Sequence, residues 1–184
     1  MNTYHITLPM DKKTASMLRY GDSVFLTGPI YTGRDAAHQR MMAAIESGAP
    51  LPFDVTNQLI YYVGPTPARP GHPVGSAGPT SSYRMDSYTG PLLNRGLTGM
   101  IGKGRRTPEL ISKMQETGAV YLGVTGGAAA LVAQSIKSSR IIAYEDLGTE
   151  AIHYFEVEDF PVIVIIDSLG NNLYETGPAQ YCRE

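Results

Sequence analysis

Three glycine-rich junctions hold the side chains best suited to chemistry. In Gly28-Pro29-Ile30-Tyr31-Thr32-Gly33-Arg34-Asp35-Ala36-Ala37-His38 a strand end gives way to a helix start. A helix N-terminus presents unpaired N–H groups and partial positive charge, and Arg34 adds a bidentate fork for a carboxylate. A purely structural reading stands beside this one: Thr32 caps the helix, Arg34 is a solvated first-turn residue and His38 is half buried. In Gly75-Ser76-Ala77-Gly78-Pro79-Thr80-Ser81-Ser82-Tyr83-Arg84-Met85-Asp86 three successive hydroxyls precede an arginine, and the glycines let backbone approach a ligand closely. A polar Ser/Thr turn is the alternative. Gly102-Lys103-Gly104-Arg105-Arg106-Thr107 is a cationic turn entering a capped helix. It fails the phosphate-loop spacing, because Leu97 stands where the first glycine belongs and Gly104 where Ser or Thr follows the lysine. Lys103 is left as a carboxylate-binding cation. Arg34, Thr80, Arg84 and Lys103 together suit a small dianion.

Other constellations are absent or poor. His5, His38, His72 and His153 show no metal-ligand spacing, and no Gly-x-Ser-x-Gly elbow occurs. His72 is kept as a minor candidate because it sits in a long loop. The single cysteine, Cys182, excludes an internal disulfide, a Cys-rich zinc site and a self-contained iron–sulfur cluster. With a formal net charge of -2 and 17% charged residues there is no basic stripe for counterion release, so nucleic acid is not an expected partner. The N-terminus shows no basic segment followed by an apolar one, and the longest apolar run, Val162 to Ile166, is far too short for a bilayer. A soluble protein of a reducing, cytoplasmic compartment is expected.

The elements that must position these junctions read as a mixed α/β order in one domain over residues 1–184. Strands are expected at 4–8, 23–27, 59–63, 120–124 and 141–144, with Met10 to Arg19 a polar connection. Helices are expected from Asp35 to Ile45, from the Thr107 cap and Pro108 to Gly118, and from Gly126-Gly127 to Ile136. Between Gly64 and Pro91 glycine and proline leave neither helix nor strand periodicity. A loop of that length inside a compact chain is usually functional or disordered. The C-terminal part reads as a hairpin, Ala151 to Val157 and Pro161 to Asp167, followed by a turn at Gly170-Asn171-Asn172 and a strand at Leu173-Tyr174.

The same junctions carry a family resemblance. Gly-Pro-Ile-Tyr-Thr-Gly-Arg-Asp-Ala-Ala-His at 28–38, Gly-Pro-Thr-Ser-Ser-Tyr-Arg-Met-Asp at 78–86, Gly-Lys-Gly at 102–104 and Gly-Gly-Ala-Ala-Ala-Leu at 126–131 resemble the C-terminal region of class I fumarases and the β subunit of tartrate dehydratase. Leu-Gly-Thr-Glu-Ala-Ile from Leu147 and Asp-Phe-Pro-Val-Ile-Val-Ile-Ile-Asp-Ser-Leu-Gly from Asp159 are similar to its closing region. The resemblance runs in order over nearly the whole chain.

It implies a swivelling β/β/α domain that closes over a [4Fe–4S] cluster held by three cysteines of another domain or subunit. It further implies that Arg34, Arg84 and Lys103 contact substrate carboxylates and that Thr80 is the base, assisted by an aspartate of the partner. Ser81 is an alternative to Thr80, because Ser81, Ser82 and Tyr83 depart from the residues common in the family. The implied activity is reversible hydration of fumarate to L-malate by a cluster-bearing α subunit paired with this β subunit. There the free iron would act as a Lewis acid and the cations would stabilise an aci-carboxylate. Tartrate or a methylated dicarboxylate would suit the same cations, and a non-catalytic dicarboxylate-binding subunit is a reading of a different class. The three cations are expected to converge on one cleft that meets the partner, with no carboxylate of their own chain paired to them.

Overall fold

A computed structural model describes residues 1–124 and 129–181; Cys182 and the Gly126-Gly127-Ala128 part of the fourth motif lie outside the described residues. Strands β1 (Thr3–Thr7), β2 (Ser23–Thr32), β3 (Leu59–Tyr61), β4 (Gly99–Gly102) and β5 (Val120–Gly123) pair as parallel neighbours in that order. Strand β7 (Ile152–Ile166) runs antiparallel to β5 and to β6 (Ile136–Ala143), and it also pairs antiparallel with β2. That last pairing closes β2, β3, β4, β5 and β7 into a ring, leaving β1 and β6 as outer strands.

Side-chain alternation gives the ring an inner and an outer face. Leu59, Tyr61 and Val63, Ile101, Val120, Leu122, Phe155 and Val164 join one buried cluster with Leu26 and Ile30. Their neighbours Ile60, Tyr62, Met100 and Tyr121 belong to a second cluster. There they meet Ala37 and Met41 of helix α2 (Asp35–Ser47), Leu92 and Leu93 of α3 (Asp86–Asn94), and Leu110 and Met114 of α4 (Pro108–Thr117). The three helices therefore cover the outside of the parallel strands. The mixed α/β class stands as expected.

Several local expectations do not. The polar connection after Met10 contains the first helix, α1 (Lys12–Met17), which Asp11 caps by accepting from the Thr14 N–H at 2.8 Å. The segment read as lacking helix holds a 3-10 turn (Ser82–Met85) and α3, with Pro91 inside it. Gly90 and Pro91 hide a helix that buried Leu92 and Leu93 hold in place. The expected hairpin is one long strand, β7. Its Asp159 adopts φ 51° at an irregularity opposite Leu26 and Gly28 of β2, and the pairing resumes on either side. After Asn172, whose side-chain oxygen accepts from the Tyr174 N–H at 3.1 Å, the chain forms a helix (Leu173–Tyr181) rather than a strand. Strand β6 starts at Ile136, earlier than its apolar end suggests, because Lys137 to Arg140 lie on an exposed outer edge.

Candidate active site

Because β2, β3 and β4 are parallel, their carboxyl ends share one edge, and each releases one of the polar junctions there. Past β2, Arg34 precedes α2, whose N-terminus has no side-chain cap of its own. The Ala36 N–H is met instead by Glu150 Oε1 at 3.3 Å, reaching in from a distant turn. The structural alternative for this junction also fails in detail. Thr32 accepts from the His153 N–H at 2.9 Å instead of capping α2, and His38 is fully buried rather than half buried. The His38 ring lies 2.8 Å through Nδ1 from the Arg34 carbonyl, and burial lowers its pKa to about 4, so it is a neutral donor to that carbonyl.

Past β3, Gly64 lies beneath Arg34: a Cβ there would stand 3.0 Å from Arg34 Cδ and 3.3 Å from Nη1. The long loop then returns to the same edge, where the Thr80 N–H donates to the Tyr62 carbonyl at 2.7 Å. Past β4, Lys103 is bridged to Ser81 in parallel fashion, and its carbonyl accepts from the Ser82 N–H at 2.9 Å. Gly102 is needed there, since any Cβ would run into Ser82 Oγ. Lys103 is exposed and has no ion-pair partner among the described residues.

The 3-10 turn that follows carries Arg84 back toward the end of β2. Its Nε donates to Asp35 Oδ1 at 2.9 Å, and Asp35 Oδ2 lies 3.9 Å from Arg34 Nη2. Arg34 Nε is also 3.9 Å from Glu150 Oε1, beyond hydrogen-bond reach, and it is buried without a hydrogen-bond partner among the described residues. The structure thus brings Arg34, Arg84, Thr80, Ser81 and Lys103 to one edge. It corrects one expectation: the arginines are not free of carboxylates of their own chain, since Arg84 is ion-paired with Asp35 at 2.9 Å and Arg34 lies 3.9 Å from both Asp35 and Glu150. Like charges gathered on one edge repel, and an interposed carboxylate offsets that cost.

Of the three successive hydroxyls, Ser82 is committed to the fold. It is fully buried, with Oγ 2.8 Å from the Tyr121 hydroxyl, which also lies 2.9 Å from the Gly104 carbonyl. The Tyr121 hydroxyl is the donor toward both oxygens, its single proton shared between Ser82 Oγ and the Gly104 carbonyl. The Thr80 and Ser81 hydroxyls make no hydrogen bond among the described residues, and both residues are partly exposed. His72 lies elsewhere, lining an open cavity of about 530 Å³ with Thr66, Arg69, Val74 and Gln134. Sequence reasoning missed Arg106, whose guanidinium is fully buried against Asp86, and Glu150. Nothing local in Gly104-Arg105-Arg106 marks which arginine turns inward.

Among the described residues, no group of three or more His, Cys, Asp or Glu could hold a metal ion. No helix among them is long and apolar enough to cross a membrane.

Residues 2–177 match the family model described as Fumarase C-terminus. The chain is 41% identical over 171 residues to "Fumarate hydratase class I, anaerobic" of Escherichia coli (strain K12), covering 91% of this chain and 31% of that protein. It is 37% identical over 170 residues to "Fumarate hydratase 2" of Leishmania major, covering 90% and 30%. It is also 37% identical over 172 residues to "Putative L(+)-tartrate dehydratase subunit beta" of Methanocaldococcus jannaschii, covering 90% and 88%. The chain therefore spans about a third of the length of the curated fumarate hydratases it matches.

Proposed function

The chain belongs to the fumarase C-terminus family, and from that premise we propose that it is one half of a hydro-lyase that reversibly hydrates fumarate to L-malate. The observation that carries this reading is the shared edge at which Arg34, Arg84 and Lys103 meet Thr80 and Ser81. Arg84 engages Asp35 through Nε only, so its terminal nitrogens are left for a carboxylate. Lys103 offers a second cation beside the two uncommitted hydroxyls, and Arg34 a third. These groups bind the two carboxylates and stabilise the charge that spreads onto one of them as the neighbouring C–H proton leaves. Thr80 takes that proton, with Ser81 the alternative. A threonine hydroxyl is a weak base at its ordinary pKa, so a carboxylate must act with it; Asp35 and Glu150 are engaged with the arginines and the α2 terminus, and that carboxylate is assigned to the partner.

A [4Fe–4S] cluster belongs to the same proposal, but the residues here do not fit one. One cysteine cannot supply three thiolates, and the described residues hold no other ligand set. The cluster is assigned to a partner α subunit, over which this domain closes in a swivelling motion. The near-equal span of the Methanocaldococcus relative, itself named as a β subunit, supports the two-chain arrangement. That relative also supports the second reading, dehydration of tartrate. Anaerobic co-expression with a three-cysteine partner, followed by assay on malate, fumarate and tartrate, separates the two. Turnover of malate and fumarate in preference to tartrate is expected, and an assembled, cluster-loaded complex inert toward all three would overturn the hydro-lyase reading.

A further inference from the structure

One fully buried charge is left unused by the proposed chemistry. Arg106 sits three residues after Lys103, and its side chain is 0% exposed while its partner Asp86 is 5% exposed. Arg106 Nε donates to Asp86 Oδ1 at 2.6 Å, and the Thr107 N–H donates to Asp86 Oδ2 at 2.6 Å. Arg106 Nη2 donates to the Tyr62 hydroxyl at 3.1 Å, and Tyr62 lies 3.2 Å from Thr89 Oγ1, which in turn donates to the Met85 carbonyl at 2.8 Å. With the Thr89 proton committed to Met85, Tyr62 must donate to Thr89, so the donors run in one direction from the guanidinium to the backbone of the 3-10 turn. The guanidinium also lies over the rings of Tyr62 and Tyr121, 5.2 and 4.8 Å from their centroids.

These contacts join two segments that sequence leaves apart. Asp86, Met85 and Thr89 belong to the stretch that carries Thr80, Ser81 and Arg84. Arg106 and Thr107 belong to the turn that carries Lys103. Tyr62 carries, on its own carbonyl, the hydrogen bond that anchors the Thr80 N–H. An arginine buried only for stability would be an expensive choice, since apolar residues of similar volume commonly serve as well. We infer that Arg106 is a positioning residue: through Asp86 and Tyr62 it fixes the separation between Lys103 and the Thr80 and Ser81 hydroxyls. This rests on the reading of that edge as a dicarboxylate site.

Two measurements test it, and they fail separately. In the isolated chain, Arg106→Lys and the isosteric Asp86→Asn should each lower the protection of the Ser82 N–H against hydrogen exchange about tenfold or more, while β1 amides keep theirs. Wild-type protection at Ser82 in a folded variant overturns the inference; Asp86→Asn carries the test if Arg106→Lys does not fold. In the assembled enzyme, Arg106→Lys should lower kcat/KM by about tenfold or more, and by much less in a Lys103→Gln background, because the two act on one alignment. Additive losses overturn the positioning role. A wild-type complex without turnover would instead sink the functional reading, leaving the exchange result to decide whether Arg106 sets this geometry.

Discussion

Each cationic side chain at the edge is held to a different degree, and that sets what its loss should do. Arg84 is tethered through Nε to Asp35, and its outer nitrogens have no partner among the described residues, so the planar fork is aimed before a ligand arrives. A lysine keeps the charge but not the fork. Charge-assisted hydrogen bonds contribute roughly 1.5–3 kcal/mol, so Arg84→Lys in the assembled enzyme should lower kcat/KM by about tenfold to a hundredfold. Steady-state kinetics on malate checks this, and an unchanged value would remove Arg84 from the site. Among the hydroxyls, if Thr80 is the base as proposed, Thr80→Ala should lower kcat far more than it raises KM, because the proton it would handle moves only in the transition state. If Ser81→Ala gives that split and Thr80→Ala does not, the base is Ser81. The residue types and their grouping were legible in the sequence, since glycine-flanked cations and hydroxyls are local features. The commitment of Ser82 to Tyr121 was not, because it depends on which strand lies beneath the turn.

Helix α2 shows how an element and the site share one device. Its first turn takes a cap from Glu150 rather than from a neighbouring side chain, and His38 fastens the Arg34 carbonyl from one turn further on. Burial lowers the His38 pKa from 6.5 to about 4, so the folded chain prefers the neutral ring while the unfolded chain protonates near the ordinary value. The stabilisation is therefore complete above about pH 6.5 and is lost as pH falls toward 4, where the whole difference amounts to about 3 kcal/mol. Urea unfolding at a series of pH values should show that slope in the wild type and a flatter one in His38→Gln. Parallel slopes would mean that His38 titrates normally. Helix α2 was legible from its apolar spacing and the α4 start from its Thr107 cap and Pro108, both of which the structure keeps. Helix α3 was not, because Gly90 and Pro91 erase its propensity and only packing of Leu92 and Leu93 restores it.

At the scale of the molecule, the closure of the sheet decides how the edge is presented. The short apolar runs at 59–63 and 120–124 marked β3 and β5 as strands, but no local pattern announces that β7 pairs with β2 as well as β5. Register across such a distance is a tertiary property. Once closed, the ring fixes the carboxyl ends of β2, β3 and β4 side by side, and Arg34, Thr80 and Lys103 follow from where the strands stop. The described cavities are open and are lined by other residues, such as Ile45, Phe53 and Arg95 around about 590 Å³. A dicarboxylate at the edge would meet cations on one side and solvent on the other, where charge interactions are weak. On the proposed reading a second protein surface would exclude that water and bring with it the auxiliary carboxylate for Thr80, whose hydroxyl makes no hydrogen bond among the described residues. The purified chain alone is therefore expected to be colourless and inactive on malate, fumarate and tartrate, since its one cysteine cannot hold a cubane. Visible absorbance from thiolate-bound iron and a coupled hydratase assay on the same sample check both halves. A brown isolated chain that turns over malate would overturn the two-chain arrangement, because the missing ligands and the missing carboxylate would then have to lie within this sequence.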